Sequence, residues 1–226
     1  SPLSYFSIPD LSLWGSSVIL ILLSFFWFDA SRYLTLTASL IGVTSLIFNA
    51  KGNPTGQALM ILSSALYGVI SFDAAYYGEM ITYMGMTGPM AIFALCSWLR
   101  NPYQGKRSEV AVNSLKRPEI FFMLGLTLLV TVLFYFILEY FHTANLLLST
   151  VSVTTSFIAV YLTFRRSPYF TLAYATNDLV LILLWSMAAM SDRTCVSVVV
   201  CFVVFFVNDL YGLFHWKKMQ LREQEA

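Results

Sequence analysis

"RNPYQGKRSEVAVNSLKRPE", Arg100 to Glu119, is the one long polar stretch in a chain of 226 residues, and its reading sets the fold. Outward from it on the N-terminal side lie apolar runs at 80–98, 56–73, 32–50 and 11–29. On the C-terminal side they lie at 119–141, 145–164, 169–190 and 195–216. Each approaches the ~20 residues that a helix needs to cross the hydrocarbon core; the 56–73 run is the least apolar. Composition agrees, with 58% hydrophobic and only 11% charged residues, where a soluble domain carries roughly a quarter charged. In lipid the backbone must satisfy its own hydrogen bonds, so the runs are expected to be helices. The reading is an all-α polytopic membrane protein whose halves meet at the 99–118 connector.

Charge orients it. Lys51, Arg100, Lys106, Arg107, Lys116, Arg117, Arg165, Arg166, Lys217, Lys218 and Arg222 fall on one side of the alternating spans, and only Arg32 and Arg193 on the other. The positive-inside rule predicts a cytoplasmic C-terminus and connector. The near-zero net charge, +1, gives no hint of a nucleic-acid partner. Cys96, Cys195 and Cys201 show no metal or disulfide spacing and read as small core residues. "LSLWGSSVILILLSFFWF" (11–28) lacks a basic lead-in and reads as a retained hydrophobic helix that spans or lies in the interface.

The halves echo each other. "SLIGVTSLIFNAKGNPTG" from Ser39 overlays "STVSVTTSFIAVYLTFRR" from Ser149, with Val43–Thr44–Ser45 over Val153–Thr154–Thr155. "FALCSW", ending at Trp98, matches "YGLFHW", ending at Trp216. The expectation is a parallel three-plus-one-plus-three arrangement. It comprises an additional N-terminal helix (1–31), a first triplet (32–98), a loop and connecting helix (99–144), a second triplet (145–216) and a tail (217–226). Repeats of this kind mark secondary transporters with a midplane site between the halves.

Polar residues inside the spans are candidates for that site. In "YATNDLVLILLW" (174–185), Tyr174, Asp178, Leu181 and Trp185 share a helical face, with Asn177 beside it. The pair recurs as Asn208–Asp209. A carboxylate in a span costs about 2.5–3.5 kcal/mol on insertion scales, which a wet cavity, a partner or a solute offsets. The alternative is hydrogen-bond glue between helices. Glu79, Tyr83, Met86 and Met90 share a face where Gly85, Gly88 and Pro89 weaken the helix. Asn53 is a candidate N-cap before Pro54, and Asn49 and Gln57 sit at the cytoplasmic mouth or are simply hydrated there. Trp14, Trp27, Trp98 and Trp216 read as interfacial belt residues. No span holds a lysine for a Schiff base, and no P-loop, HExxH or GxSxG occurs. No cofactor or metal is expected.

"LYGVISFDAAYYGEMITYMGMTGPM" (66–90) and "FVNDLYGLFHW" (206–216) resemble the PnuC family of vitamin transporters over about residues 32–216. The motifs are Tyr77–Gly78–Glu79, Pro89–Met90 and Asn208-x-x-Tyr211–Gly212 running to Trp216. The resemblance implies a fold similar to an enlarged SWEET-type transporter, and nicotinamide riboside taken up by facilitated diffusion (uniport) and trapped by a kinase. It also implies a homotrimer in a bacterial inner membrane. Mapped onto these residues, the nicotinamide ring is expected to stack near Trp185 and Tyr83. Asn177, Asp178 and Asn208 would bond its carboxamide or ribose, with Gln57 and Asn49 nearer the cytoplasm. Tyr174, where the family often has Trp, and Ala91, where Gln is common, depart from the pattern and bear on recognition of base or ribose. Competing readings are another B-vitamin or a small sugar as solute, and, in a different class, an intramembrane enzyme using Asp178 and Asp209 as an acid pair.

Overall fold

A computed structural model of the chain describes residues 5–73 and 77–225, with the side chains of Ser71, Asp73 and Tyr77 outside that description. The motif residue Tyr77 therefore enters only through its backbone. The helices are α1 (Ile8–Phe28), α2 (Tyr33–Ala50), α3 (Thr55–Asp73), α4 (Tyr77–Thr82), α5 (Gly88–Arg100), α6 (Arg117–Tyr140), α7 (Leu146–Phe164), α8 (Phe170–Ala189) and α9 (Cys195–Glu225). A π turn, Tyr83–Thr87, joins α4 to α5. Among the described residues seven helices are long and apolar enough to cross a membrane, α4 to α5 counting as one. The apolar part of α3, Thr55–Ile70, is shorter, as its weaker hydropathy predicts. Asn53 caps α3, its Oδ1 accepting the Thr55 N–H at 2.9 Å.

The bundle is apolar outside and polar within. On α6, Phe121, Phe122, Leu128 and Phe136 point outward while Thr127 is buried. Lipid tails are as apolar as leucine, so helices associate through small residues and hydrogen bonds rather than through apolar burial. α1 follows the same rule. Asp10, Ser17, Ile21, Ser24 and Phe25 face inward, and Leu20, Leu23 and Phe26 face out. Asp10 bonds Lys51 Nζ at 2.9 Å and the Tyr211 hydroxyl at 2.6 Å. Trp14 Nε1 donates to Thr44 Oγ1 at 3.1 Å, and at the far end Phe25 meets Tyr33. α1 therefore lies along α2 and α9 for its full length.

The connector is more than the polar loop expected. It carries an antiparallel hairpin, β1 (Pro102–Tyr103) with β2 (Lys106–Val110). Gln104 and Gly105 turn it at φ 48° and 76°, the two positive values that a type I′ turn requires. It is stitched to the helix ends. Val110 N–H donates to the Gly52 carbonyl, Asn113 N–H to that of Arg166, and Val112 N–H to the Glu223 carboxylate. The end of the bundle bearing this hairpin also bears the eleven basic residues and is called the basic end.

Two tryptophans correct the belt assignment. Trp98 and Trp216 are fully buried, whereas Trp14 and Trp27 are exposed. Trp98 Nε1 donates to the Thr163 carbonyl at 2.9 Å, and Trp216 Nε1 to the Asn49 carbonyl at 2.8 Å. Hydropathy places both indoles near a membrane surface; only packing shows that they point to the bundle axis. Phe170 completes a plug with them, its ring centroid 6.1 Å from Trp98 and 4.9 Å from Trp216. Cys195 and Cys201 are buried as expected, but Cys96 lies on the outer face.

Candidate functional site

Directly above the plug lies a cavity bounded by α2, α3, α4, the π turn, α7, α8 and α9. It offers about 130 Å³ to the centres of water molecules, against the ~10–15 Å³ that one water needs. The π turn shapes one wall. Pro89 has no N–H to give, and Gly88 N–H reaches back to the Tyr83 carbonyl in an i→i−5 bond. The widened turn carries the Tyr83 ring onto Tyr67 of α3, stacked at 5.3 Å and 20°. At Gly42, across the cavity, an added Cβ would meet the Phe205 ring at 2.8 Å, so glycine there lets α2 approach α9.

α8 supplies the polar centre. Asn177 is buried, and its Oδ1 accepts from Thr155 at 2.8 Å, Ser156 at 3.0 Å and Ser152 at 3.4 Å, all on α7. That pinned oxygen fixes the amide, leaving the NH2 as the unbonded end of a cavity-lining side chain. Asp178 turns the other way, toward α9. Its carboxyl lies within hydrogen-bond reach of the Asp209 carboxyl, and its Oδ2 is buried without a partner. Glu79 and Tyr174 also line the space, and no lysine, arginine or histidine does so among the described residues.

The predicted site residues divide. Tyr83, Tyr174, Asn177 and Asp178 come together in this cavity. Trp185 does not; it lines a second compartment toward the end opposite the plug, with His142, Thr143 and Ala188. Glu79, Thr143, Ser149 and Leu184 border both spaces. The expected pairing of Trp185 with Tyr83 around one ring is therefore not formed; Tyr83 stacks directly on Tyr67 instead. Asn208 faces away, its Nδ2 donating to Ser17 of α1 at 2.9 Å and to the Val204 carbonyl at 2.8 Å. It adjoins Asp209, and a ~100° step per residue lets only one of the two face the cavity. Asn49 and Gln57 lie beside the plug, whose Trp216 bonds the Asn49 carbonyl, and are buried and bonded to each other at 2.9 Å. Asn49 also donates to Ser45. These two hold the α2–α3 corner and line neither space.

Sequence reading left Tyr67 and the α7 hydroxyls unassigned. A signal existed for the latter: Ser149, Ser152 and Ser156 fall at helical spacing on one face. Nothing local marked Tyr67.

A family model described as "Nicotinamide mononucleotide transporter" matches residues 32–218. The chain belongs to that family. Its members are transporters, not enzymes, which sets aside the acid-pair enzyme although the two aspartates do meet. Among the family's proteins, "Nicotinamide riboside transporter PnuC" of Neisseria mucosa is 22% identical over 201 residues, 87% of this chain and 76% of its own length. The "Crystal structure of the Vitamin B3 transporter PnuC" superposes with a TM-score of 0.82 at 19% identity, covering 96% of this chain and 94% of that one. At that identity the likeness speaks for the family fold. α1 precedes the family-matched region but falls largely within the superposed part.

Proposed function

We propose that the protein carries nicotinamide riboside across a bacterial inner membrane, by alternating exposure of the central cavity to its two sides and down the solute's own gradient. The observation that carries this is the cavity itself. It has a stacked tyrosine wall, a pinned amide donor and a pair of acids, is plugged at one end and adjoins a second compartment toward the other. Aromatic faces attract a desolvated cation by about 2 kcal/mol, and the pyridinium is such a cation. Asn177 NH2 suits the carboxamide oxygen or a ribose hydroxyl. Trp185 becomes a residue of the entry compartment rather than a stacking partner.

The two-triplet reading gains support from exchanged contacts. Trp98, closing α5, bonds the end of α7, while Trp216 of α9 bonds the end of α2. Left-handed Gly52 and Arg166 follow those two helices, each before an x-Pro step at Pro54 and Pro168, and each bonded by the connector. Matching the ends places Asn49 over Thr163, one helical turn away from the register that Val43–Thr44–Ser45 suggests. The basic end is cytoplasmic in this reading, and the plug is then the closed inner gate. Trimeric assembly stays with the family resemblance, and mass photometry in detergent would test it.

Reconstituted vesicles loaded with nicotinamide riboside provide the functional test. Labelled nicotinamide riboside should exchange inward, and excess thiamine, riboflavin or ribose should not compete. Competition by any of these as strong as that by unlabelled nicotinamide riboside would overturn the assignment of substrate.

A further inference from the structure

The compartment opposite the plug offers about 280 Å³ to the centres of water molecules, against about 130 Å³ in the central cavity. Trp185 lines it, seven residues beyond Asp178 on the same face of α8, hence about 10 Å farther along the axis. The indoles of Trp14, Trp98 and Trp216 each give their N–H to a partner in the bundle. The Trp185 side chain has no hydrogen bond and meets no other ring among the described residues, so the fold leaves its face free. Glu79 stands at the neck and borders both spaces. Its carboxyl has no hydrogen bond or ion pair among the described residues, and a carboxyl within a span is costly unless a partner offsets it. Gly78 sets this neck. An added Cβ would come within 2.6 Å of Thr143 Oγ1 and 2.7 Å of Leu138 Cδ2, so glycine lets the corner between α6 and α7 close on α4. Thr143 and Ser149 then border both spaces with Glu79, and no lysine or arginine lines the outer one among the described residues.

We propose that this compartment is a second binding site for the solute, an outer station of lower affinity. The pyridinium ring lies on the Trp185 face, Glu79 is its counter-ion, and the Thr143 and Ser149 hydroxyls take the ribose. The inference rests on the nicotinamide riboside reading, which supplies the cationic ring. Attraction between a cation and an aromatic face is weaker where water reaches it than where it is desolvated, so the outer station binds about tenfold more weakly than the central cavity. Because Glu79 borders both spaces, the solute moves from Trp185 to the Tyr83 wall without leaving its counter-ion. The station raises the rate of entry at low solute concentration, and the direction of net transport stays with the gradient.

Calorimetric titration of the purified protein with nicotinamide riboside reads the central affinity, and tryptophan fluorescence, parent minus Trp185→Phe, reads the outer station. The Trp185 component should quench saturably, with a midpoint about tenfold above the calorimetric Kd. That midpoint should stay within about twofold in Asn177→Leu, which weakens the central cavity, and should rise about tenfold or more in Glu79→Gln. A Trp185 component that is absent, that grows linearly as collisions do, or that shifts with the calorimetric Kd in Asn177→Leu overturns the second site and leaves the substrate reading intact. An unchanged midpoint in Glu79→Gln overturns the counter-ion assignment. No binding by calorimetry and no quenching overturns the substrate reading, and the outer station falls with it.

Discussion

Replacing Asp10 by alanine tests how α1 is held. The Asp10 side chain is fully buried and accepts from Lys51 Nζ at 2.9 Å, from the Tyr211 hydroxyl at 2.6 Å and from Ser7 N–H at 2.7 Å. His215 Nε2 stands 3.7 Å away, and Lys51 also lies over the Tyr5 ring at 5.1 Å. Removing one member of a buried, hydrogen-bonded ion pair costs about 3–5 kcal/mol, because the other charge is left behind. The Lys51 side chain is 18% exposed and recovers some hydration, so the lower figure of about 3 kcal/mol applies. For a chain of this size each kcal/mol shifts Tm by roughly 2–4 °C, giving a fall of about 6–12 °C. Tryptophan-fluorescence melting of the purified protein in detergent reads it. Asp10→Asn, which keeps the shape and loses the charge, should fall in between. A double-mutant cycle with Lys51→Met should give a coupling above about 0.5 kcal/mol. Because α1 lines neither compartment, affinity for nicotinamide riboside should stay within twofold. Melting of Asp10→Ala within 2 °C of the parent, or a zero coupling, refutes the reasoning.

Tyr83→Ala should weaken nicotinamide riboside binding by about tenfold or more, and Trp185→Ala by less than threefold, in the same calorimetric titration; the reverse order would restore Trp185 as the stacking residue. Asn177→Leu removes the acceptor shared by Thr155, Ser156 and Ser152 as well as the donor facing the solute, so affinity should drop about 10–100-fold, at about 1–3 kcal/mol for groups left unbonded. Trp98→Phe should cost only about 1 kcal/mol in the melt, because the Thr163 carbonyl keeps the Arg166 N–H, yet it should raise the exchange rate in vesicles by loosening the plug. At the opposite end, burial holds the Asp29 carboxyl above the ordinary carboxylate range despite Arg32 beside it. An acid held high favours folding in its protonated form and weighs against it when ionised. Asp29→Asn should therefore raise Tm relative to the parent at pH 8, and the advantage should shrink as the pH falls through the carboxylate range.

Much of the fold is written in the order of residues. Runs of about 20 apolar side chains allow only helices in lipid, and their ends fell within a few residues of the expected ones except at α9, which runs on as helix to Glu225 through the expected tail. Gly88–Pro89 announced the broken helix at Tyr83, since a missing N–H and a missing Cβ are local facts. The embedded acids and amides marked the neighbourhood of the site for the same reason: each is costly in hydrocarbon wherever it points. Where each points is a different matter. Asn208 and Asp209 are chemically equal candidates in sequence, and one bonds Ser17 of α1 while the other meets Asp178. Trp98 and Trp216 have the hydropathy of belt residues and are instead a buried plug. Asn49 and Gln57 read as facing the pore at its cytoplasmic mouth or as hydrated there, and are closed upon each other. Direction around a helix axis is settled by neighbours distant in the chain, and side-chain hydrogen bonds between helices are satisfied only once those neighbours are in place. The sequence by itself determined that polar groups must meet inside this bundle; the tertiary structure decided which of them meet each other and which are left facing the open space.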